Sequence, residues 1–489
     1  MQIQDRFAHD RLAITRAVRQ WSVWLGAVLT ISTALTLWSS PAWAIPAFAR
    51  KYDLPCSVCH LPSFPKLNDF GNTFRDRGYQ LNNDNDLPVY EALTKGYWPV
   101  AFRTTVGYQY ATLHHAGDVA MTGLSGNLTS GSFGFTGLDI LSFGTLARDI
   151  SYGLVFTPDL GSAGFGAGGE GSDLEAAFVK LDNLFHSNYL LNVKVGKYEL
   201  DLPASEKRSP TLNTPYVIYH YMAGTPYVTS LDNPGLLATQ TYANPNDFGL
   251  GDNHPGLEVS GIASTPGDGV FRYSLNALSN SDLNTGGSGG GRGLYFYGRV
   301  SQSLGGYGVV SGQRVGLFGV YGGVATNPSA LCLPLNPPCG PTGGGNEPFY
   351  RIGGDFSLTA FHQLNLIATF MHANDSKELF LSQGIAGAQD AVWDGAFIEL
   401  DYNPAQLSEW LFIYRYDLVR NSQQGDPTFA KSFNNVDSHT LMARYNFNIS
   451  TRVDTTFHLE YNYFKTKGTS PSGGDQMGQT VLAALDFAL

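Results

Sequence analysis

The chain has 489 residues, only 15% of them charged, and a net charge of −11 that argues against nucleic acid as a partner. Beyond residue 44 no apolar run is long enough for a transmembrane helix, whereas 57 glycines, 30 phenylalanines and 26 tyrosines are plentiful. That balance excludes a helical membrane protein and points to strands.

Taken in chain order, residues 1–44 read as an export signal. Arg6, Arg11, Arg16 and Arg19 form a basic start, Trp24 to Trp38 is an apolar run short of a membrane span, and Ala42-Trp43-Ala44 is a small-x-small cleavage pattern. Cleavage there starts the mature chain at Ile45. It removes four arginines and two aspartates and deepens the net charge to −13.

Residues 45–98 carry Cys56-Ser57-Val58-Cys59-His60. Two thiols three apart followed by histidine form the attachment string of a c-type haem. Cys56 and Cys59 add to the vinyl groups, and His60 becomes the proximal iron ligand. A zinc half-site would need a second ligand pair at close spacing, and none follows. A redox dithiol would need a thioredoxin-like context, and none is visible. Export to an oxidising compartment suits one covalent haem c.

Residues 99–489 read as an all-β transmembrane barrel. From Val453 to Tyr463 the odd positions are Val453, Thr455, Phe457, Leu459, Tyr461 and Tyr463, and the even ones Asp454, Thr456, His458, Glu460 and Asn462. One face suits lipid and the other water, which is the outer-membrane barrel pattern. Sixteen strands are expected near 99–112, 133–147, 150–157, 173–182, 189–197, 255–264, 270–280, 293–304, 314–325, 349–359, 362–374, 389–403, 408–421, 436–449, 452–466 and 476–489. Connections after odd strands are mostly long and those after even strands mostly short, which puts the long ones outside a Gram-negative outer membrane and the short ones in the periplasm. A soluble β-sandwich or propeller is the alternative, but it would not need aromatic residues opposite the polar face throughout. Cys332 and Cys339 fall in the long connection after the ninth strand. There a disulfide closing a proline-rich loop is expected, with metal binding by two lone cysteines as the other reading.

Pro46, Phe48, Ala49 and Arg50 before the haem string, and Pro65, Leu67, Phe70, Gly71, Phe74, Gly78 and Tyr79 after it, make a pattern that resembles the N-terminal signature of the fused outer-membrane cytochrome–porins of iron-oxidising bacteria. The resemblance implies a monohaem segment joined to a barrel of about sixteen strands. It also implies oxidation of extracellular Fe(II), hence a possible Fe(II) oxidase, and electron delivery to a soluble periplasmic cytochrome. Lys51-Tyr52 and Asp69 depart from the iron-oxidising group's Gln-Thr and proline, which leaves Fe(II) and another extracellular reductant both open as donor.

The haem segment is too short for a free-standing cytochrome core, so Phe48, Phe64, Phe70, Phe74 and Tyr79 are expected to bury against the barrel lumen. Strand parity turns Arg103, Arg272, Arg299, Arg351, Arg415 and Arg444 inward, either as propionate partners or as ordinary lumen charges. Near the haem string no sixth iron ligand is evident. Met371, Met442 and His458 point inward by parity and are the wall candidates, with five-coordinate iron as the other option. Three functions compete: an electron-conducting haem barrel, a diffusion porin with a haem-bearing tether, and a haem-based surface sensor.

Overall fold

A computed structural model describes residues 47–83, 86–115, 126–158, 173–227, 246, 248–279, 294–305, 310–325, 346–447, 454–470 and 473–488. The export segment 1–44 and the Cys332–Cys339 pair lie outside these residues.

Sixteen antiparallel strands close into one barrel in sequence order, with β1 sealing against β16. They are β1 Val100–His114, β2 Asn127–Ala147, β3 Ile150–Thr157, β4 Asp173–Leu181, β5 Asn192–Glu199, β6 Asn253–Thr265, β7 Gly269–Ser279 and β8 Leu294–Leu304. The second half comprises β9 Val310–Ala325, β10 Asn346–Ala360, β11 Leu364–Asp375, β12 Ala391–Tyr402, β13 Trp410–Gln423, β14 Val436–Asn446, β15 Asp454–Thr466 and β16 Gln476–Ala488. β2 starts six residues before the expected 133. Ser130-Gly131-Ser132 has no apolar alternation to read, yet its backbone extends the ladder with β1 to the pair His114–Asn127.

The wall is inside out relative to a soluble protein. Leu317, Ile352, Phe370, Phe296 and Leu441 face outward and exposed, while Arg415, Asp417, Glu399, Thr440, His458 and Asn462 are fully buried on the inward face. Hydrocarbon demands that arrangement, because backbone groups must be paired within the wall and only apolar side chains can face lipid. The chain is a closed antiparallel barrel with a lipid-facing exterior, and a soluble sandwich is excluded.

Two segments occupy the lumen. The first is the N-terminal segment that carries the Cys56–His60 string, with helices α1 Ala47–Tyr52, α2 Asp69–Asp76 and α3 Val89–Thr94. Its aromatic residues do not all bury against the wall. Phe48, Tyr52, Phe74 and Tyr79 build a small core of their own, with Phe48 and Phe74 edge to face at 5.1 Å, and Phe143 of β2 covers it. The expectation for Phe70 is corrected: at the first turn of α2 it is 43% exposed, whereas Phe74 one turn on is buried.

The second is the connection after β5, which was expected to be an external loop and instead enters the barrel. Asn213 bonds Gln109 of β1 and Thr480 of β16, Leu212 donates its N–H to Glu460 of β15, and Arg415 of β13 donates to the Thr214 carbonyl. Tyr297 of β8 donates to the Asp201 carbonyl at 2.6 Å. The segment therefore bridges opposite sides of the wall. Tyr216, Val217, Ile218 and Tyr219 pack with Phe397 and Trp393 into an apolar core inside the lumen.

Leu317 sits midway along β9 on the lipid face and is 66% exposed. Leu317→Arg is expected to cost about 2–4 kcal/mol of folding free energy in vesicles. Guanidinium titration of refolding into phosphatidylcholine liposomes measures it, with Leu317→Ile unchanged.

Candidate functional site

The haem string forms one tight turn. Val58, Cys59 and His60 donate their N–H groups back to Pro55, Cys56 and Cys56 at 3.1, 3.1 and 3.0 Å, which folds the string compactly; Cys56 and His60 line the adjoining cavity and Cys59 does not. Asn68 clamps this turn. Its side-chain amide donates to Val58 O at 2.9 Å, its Oδ1 accepts from Gly71 N as the N-cap of α2, and its own N–H donates to Cys59 O at 3.0 Å. Gly71 is obligatory here, because a Cβ on it would stand 2.1 Å from the Cys59 carbonyl oxygen. α2 can therefore lie directly on the turn.

His60 is held as a ligand would be. Its Nδ1 lies 3.0 Å from the Pro65 carbonyl, which can only accept, so Nδ1 carries the proton and Nε2 the lone pair. Burial lowers the imidazole pKa and keeps the ring neutral. The Phe64 ring rests against it at 4.7 Å. Both cysteines are free thiols, and burial pushes Cys59 up to about 11 and Cys56 up as well.

Several wall contacts fix the segment. Lys66 enters between Glu399 and Asp401 of β12, with all three side chains nearly water-free. Arg444 of β14 donates to the Phe64 carbonyl and lies 5.9 Å from its ring. Asp76 pairs with Arg272 of β7, and Lys180 of β4 donates to the Asp76 carbonyl at 2.6 Å.

Against this turn lies a cavity of about 760 Å³, lined by Cys56, His60, Phe64 and Lys66 on one side and by wall residues on the other. Its size is that of a cofactor site. His362 and Gln363 between β10 and β11, and Asn403 and Ser408 between β12 and β13, place it at the short-turn, periplasmic end. The residues present therefore fit a c-type haem: two thiols, a neutral histidine of fixed tautomer and an adjoining space.

The wall ligand candidates do not reach this cavity. Met371 lies in the apolar core with Trp393, Met442 packs on Leu411 and Ile413, and His458 Nε2 is 3.0 Å from Glu460. None lines the cavity, whereas His362, the first residue of the expected strand 362–374 and here in the turn before β11, does. Of the six inward arginines, Arg272 and Arg444 line it. Arg103 lies beside Asp486, Arg299 is held by Asp201 and Asp355, Arg351 by Asp375, and Arg415 by Asp417. Parity reading missed Arg314 of β9, and Arg75 and Arg208 lie outside strands where parity says nothing. Among the described residues no cluster of three or more His, Cys, Asp or Glu side chains is arranged to hold a metal ion.

No family model matches the chain, and no curated protein does. Among solved structures it is similar to an anion-selective porin from Comamonas acidovorans, at 14% identity and a TM-score of 0.46 over 80% of this chain and 99% of that one. It is also similar to OprB from Pseudomonas putida at high pH, at 12% identity and a TM-score of 0.47 over 82% and 96%. A third is OccK10 (OpdN) from Pseudomonas aeruginosa, at 11% identity and a TM-score of 0.37 over 80% and 99%.

Lys66→Met leaves Glu399 and Asp401 buried without their shared cation, at an expected cost of about 3–5 kcal/mol to the docking of the haem segment. Limited trypsin digestion from the periplasmic side measures this: residues 47–98 become cleavable in the variant while the barrel stays resistant.

Proposed function

We propose that the barrel carries one haem c on Cys56, Cys59 and His60 and moves single electrons between an extracellular donor and a soluble periplasmic cytochrome. The observation that carries the reading is the hydrogen bond from His60 Nδ1 to the Pro65 carbonyl, beside two free thiols and a cofactor-sized cavity. When bound there, haem supplies a one-electron centre. The chain's own residues do the rest. Asn68 and Gly71 hold the attachment turn, Pro65 aims the imidazole, and Lys66 ties the segment to the wall.

The cavity's place among the periplasmic turns favours exchange with a periplasmic carrier at that mouth. The inward connection after β5 crosses the lumen between Gln109 and Tyr297 and favours passage of electrons over passage of solutes. Fe(II) is the proposed donor on the strength of the sequence resemblance, with another extracellular reductant next.

A second reading, a diffusion porin with a haem-bearing lumen segment, is favoured by the closed sixteen-stranded barrel. Planar-bilayer conductance separates the two. The electron-transfer reading expects small conductance in the wild type, while large, haem-independent conductance supports the porin.

Covalent attachment is expected to survive denaturing electrophoresis and stain by haem peroxidase activity. Cys59→Ala leaves a single thioether and a much weaker band; equal staining overturns the attachment. Stopped-flow mixing of the ferric protein in detergent with Fe(II) is expected to give ferrous haem bands. Failure at every pH where both are soluble removes Fe(II) as donor.

A further inference from the structure

Beside the cavity one cluster of charges does not cancel within itself, although Asp401, Glu409 and Asp454 also line the cavity. Arg75 of α2, Arg272 of β7, Arg299 of β8 and Arg314 of β9 face three carboxylates: Asp76 of α2, Asp201 after β5 and Asp355 of β10. Asp76 pairs with Arg75 and Arg272, and Asp201 with Arg299 and, at 3.7 Å, Arg75. Both oxygens of Asp355 are taken by Arg299 Nη2 at 2.9 Å. Arg314 is the arginine left over.

Its Nη2 donates to the Pro203 carbonyl at 2.8 Å, but its Nε stands 3.9 Å from Asp355, is buried and has no hydrogen-bond partner. Burying a guanidinium with an unused donor is costly unless something completes it. Arg314 lines the same cavity as Cys56 and His60. Asp69, also on that lining, forms no ion pair with the cluster among the described residues. Asp201 reports the same excess of positive charge: although burial pushes its pKa up, Arg299, Arg272, Arg75 and Arg314 together hold it well below the usual carboxylate range.

We infer that Arg314 receives a carboxylate of the group bound in this cavity, one of the haem propionates, and so neutralises the uncompensated charge of the cluster. The inference rests on the haem reading and adds the residue that anchors the end of the macrocycle remote from the thioethers. A forked guanidinium fits a carboxylate with two parallel bonds, where a lysine offers a point charge.

The test uses the full-length, haem-loaded protein in detergent, with wild type, Arg314→Gln, Arg314→Lys and, as a control outside the cavity, Arg420→Gln. Resonance Raman scattering reads the propionate-bending bands, and redox titration reads the midpoint potential from pH 5 to pH 8. In wild type and Arg420→Gln the bands coincide and the potential is flat with pH. Arg314→Gln shifts the bands. It also raises the propionate pKa into this window, so that its potential falls as pH rises. Arg314→Lys, which keeps the charge without the fork, gives a band shift with a shallower slope, and decides the matter if the glutamine variant does not fold. Loaded Arg314 variants with wild-type bands and a flat profile overturn the inference and leave the haem reading intact. A wild type without covalent haem removes both.

Discussion

Closure of β1 on β16 is the constraint from which the remaining architecture follows. In hydrocarbon each unpaired backbone amide costs several kcal/mol, and the seam, paired from Arg103–Ala488 to His114–Met477, leaves no edge. A ring of sixteen strands is too wide for inward side chains to meet across it. The lumen must then hold water or further chain. Here much of it holds chain, and the polar inner wall becomes the surface on which that chain is anchored. Glu399, Asp401, Glu460, Asp417 and Arg415 all take partners from segments that are not strands.

These anchors are strong because they are dry. Lys66 between two carboxylates, and Arg415 stacked 4.4 Å over Tyr216 while donating to Thr214 and Pro215, are ionic contacts in a low-dielectric interior. Such groups add little stability over an apolar substitute, but an unpaired survivor is costly. Their effect is to permit one seating of each inner segment.

Much of this was legible in the sequence. Period-two alternation found all sixteen strands, because lipid on one side and polar lumen on the other impose opposite requirements on neighbours such as Leu459 and Glu460. The Cys56–His60 string could be picked out because its spacing is chemical, and the structure shows it as one hydrogen-bonded turn. The connection after β5 was not: Leu212 to Tyr221 has the glycine-poor, tyrosine-rich composition of a buried segment but no period, and its partners lie around 200 residues away in sequence. The distal-ligand candidates were chosen by parity, which gives the face of a strand but not the depth along it. Met371 and Met442 face inward and still pack into apolar clusters away from His60. Arg314 faces inward too, and only its depth and the lack of a carboxylate of its own distinguish it.

The segment that joins Gln109 on β1 to Tyr297 on β8 acts as a cross-brace. A cylinder of hydrogen-bonded ribbon is soft towards flattening, since opposite walls approach without breaking a ladder bond. A tie between opposite walls resists that ovalisation and holds the circumference round under lateral pressure from the bilayer.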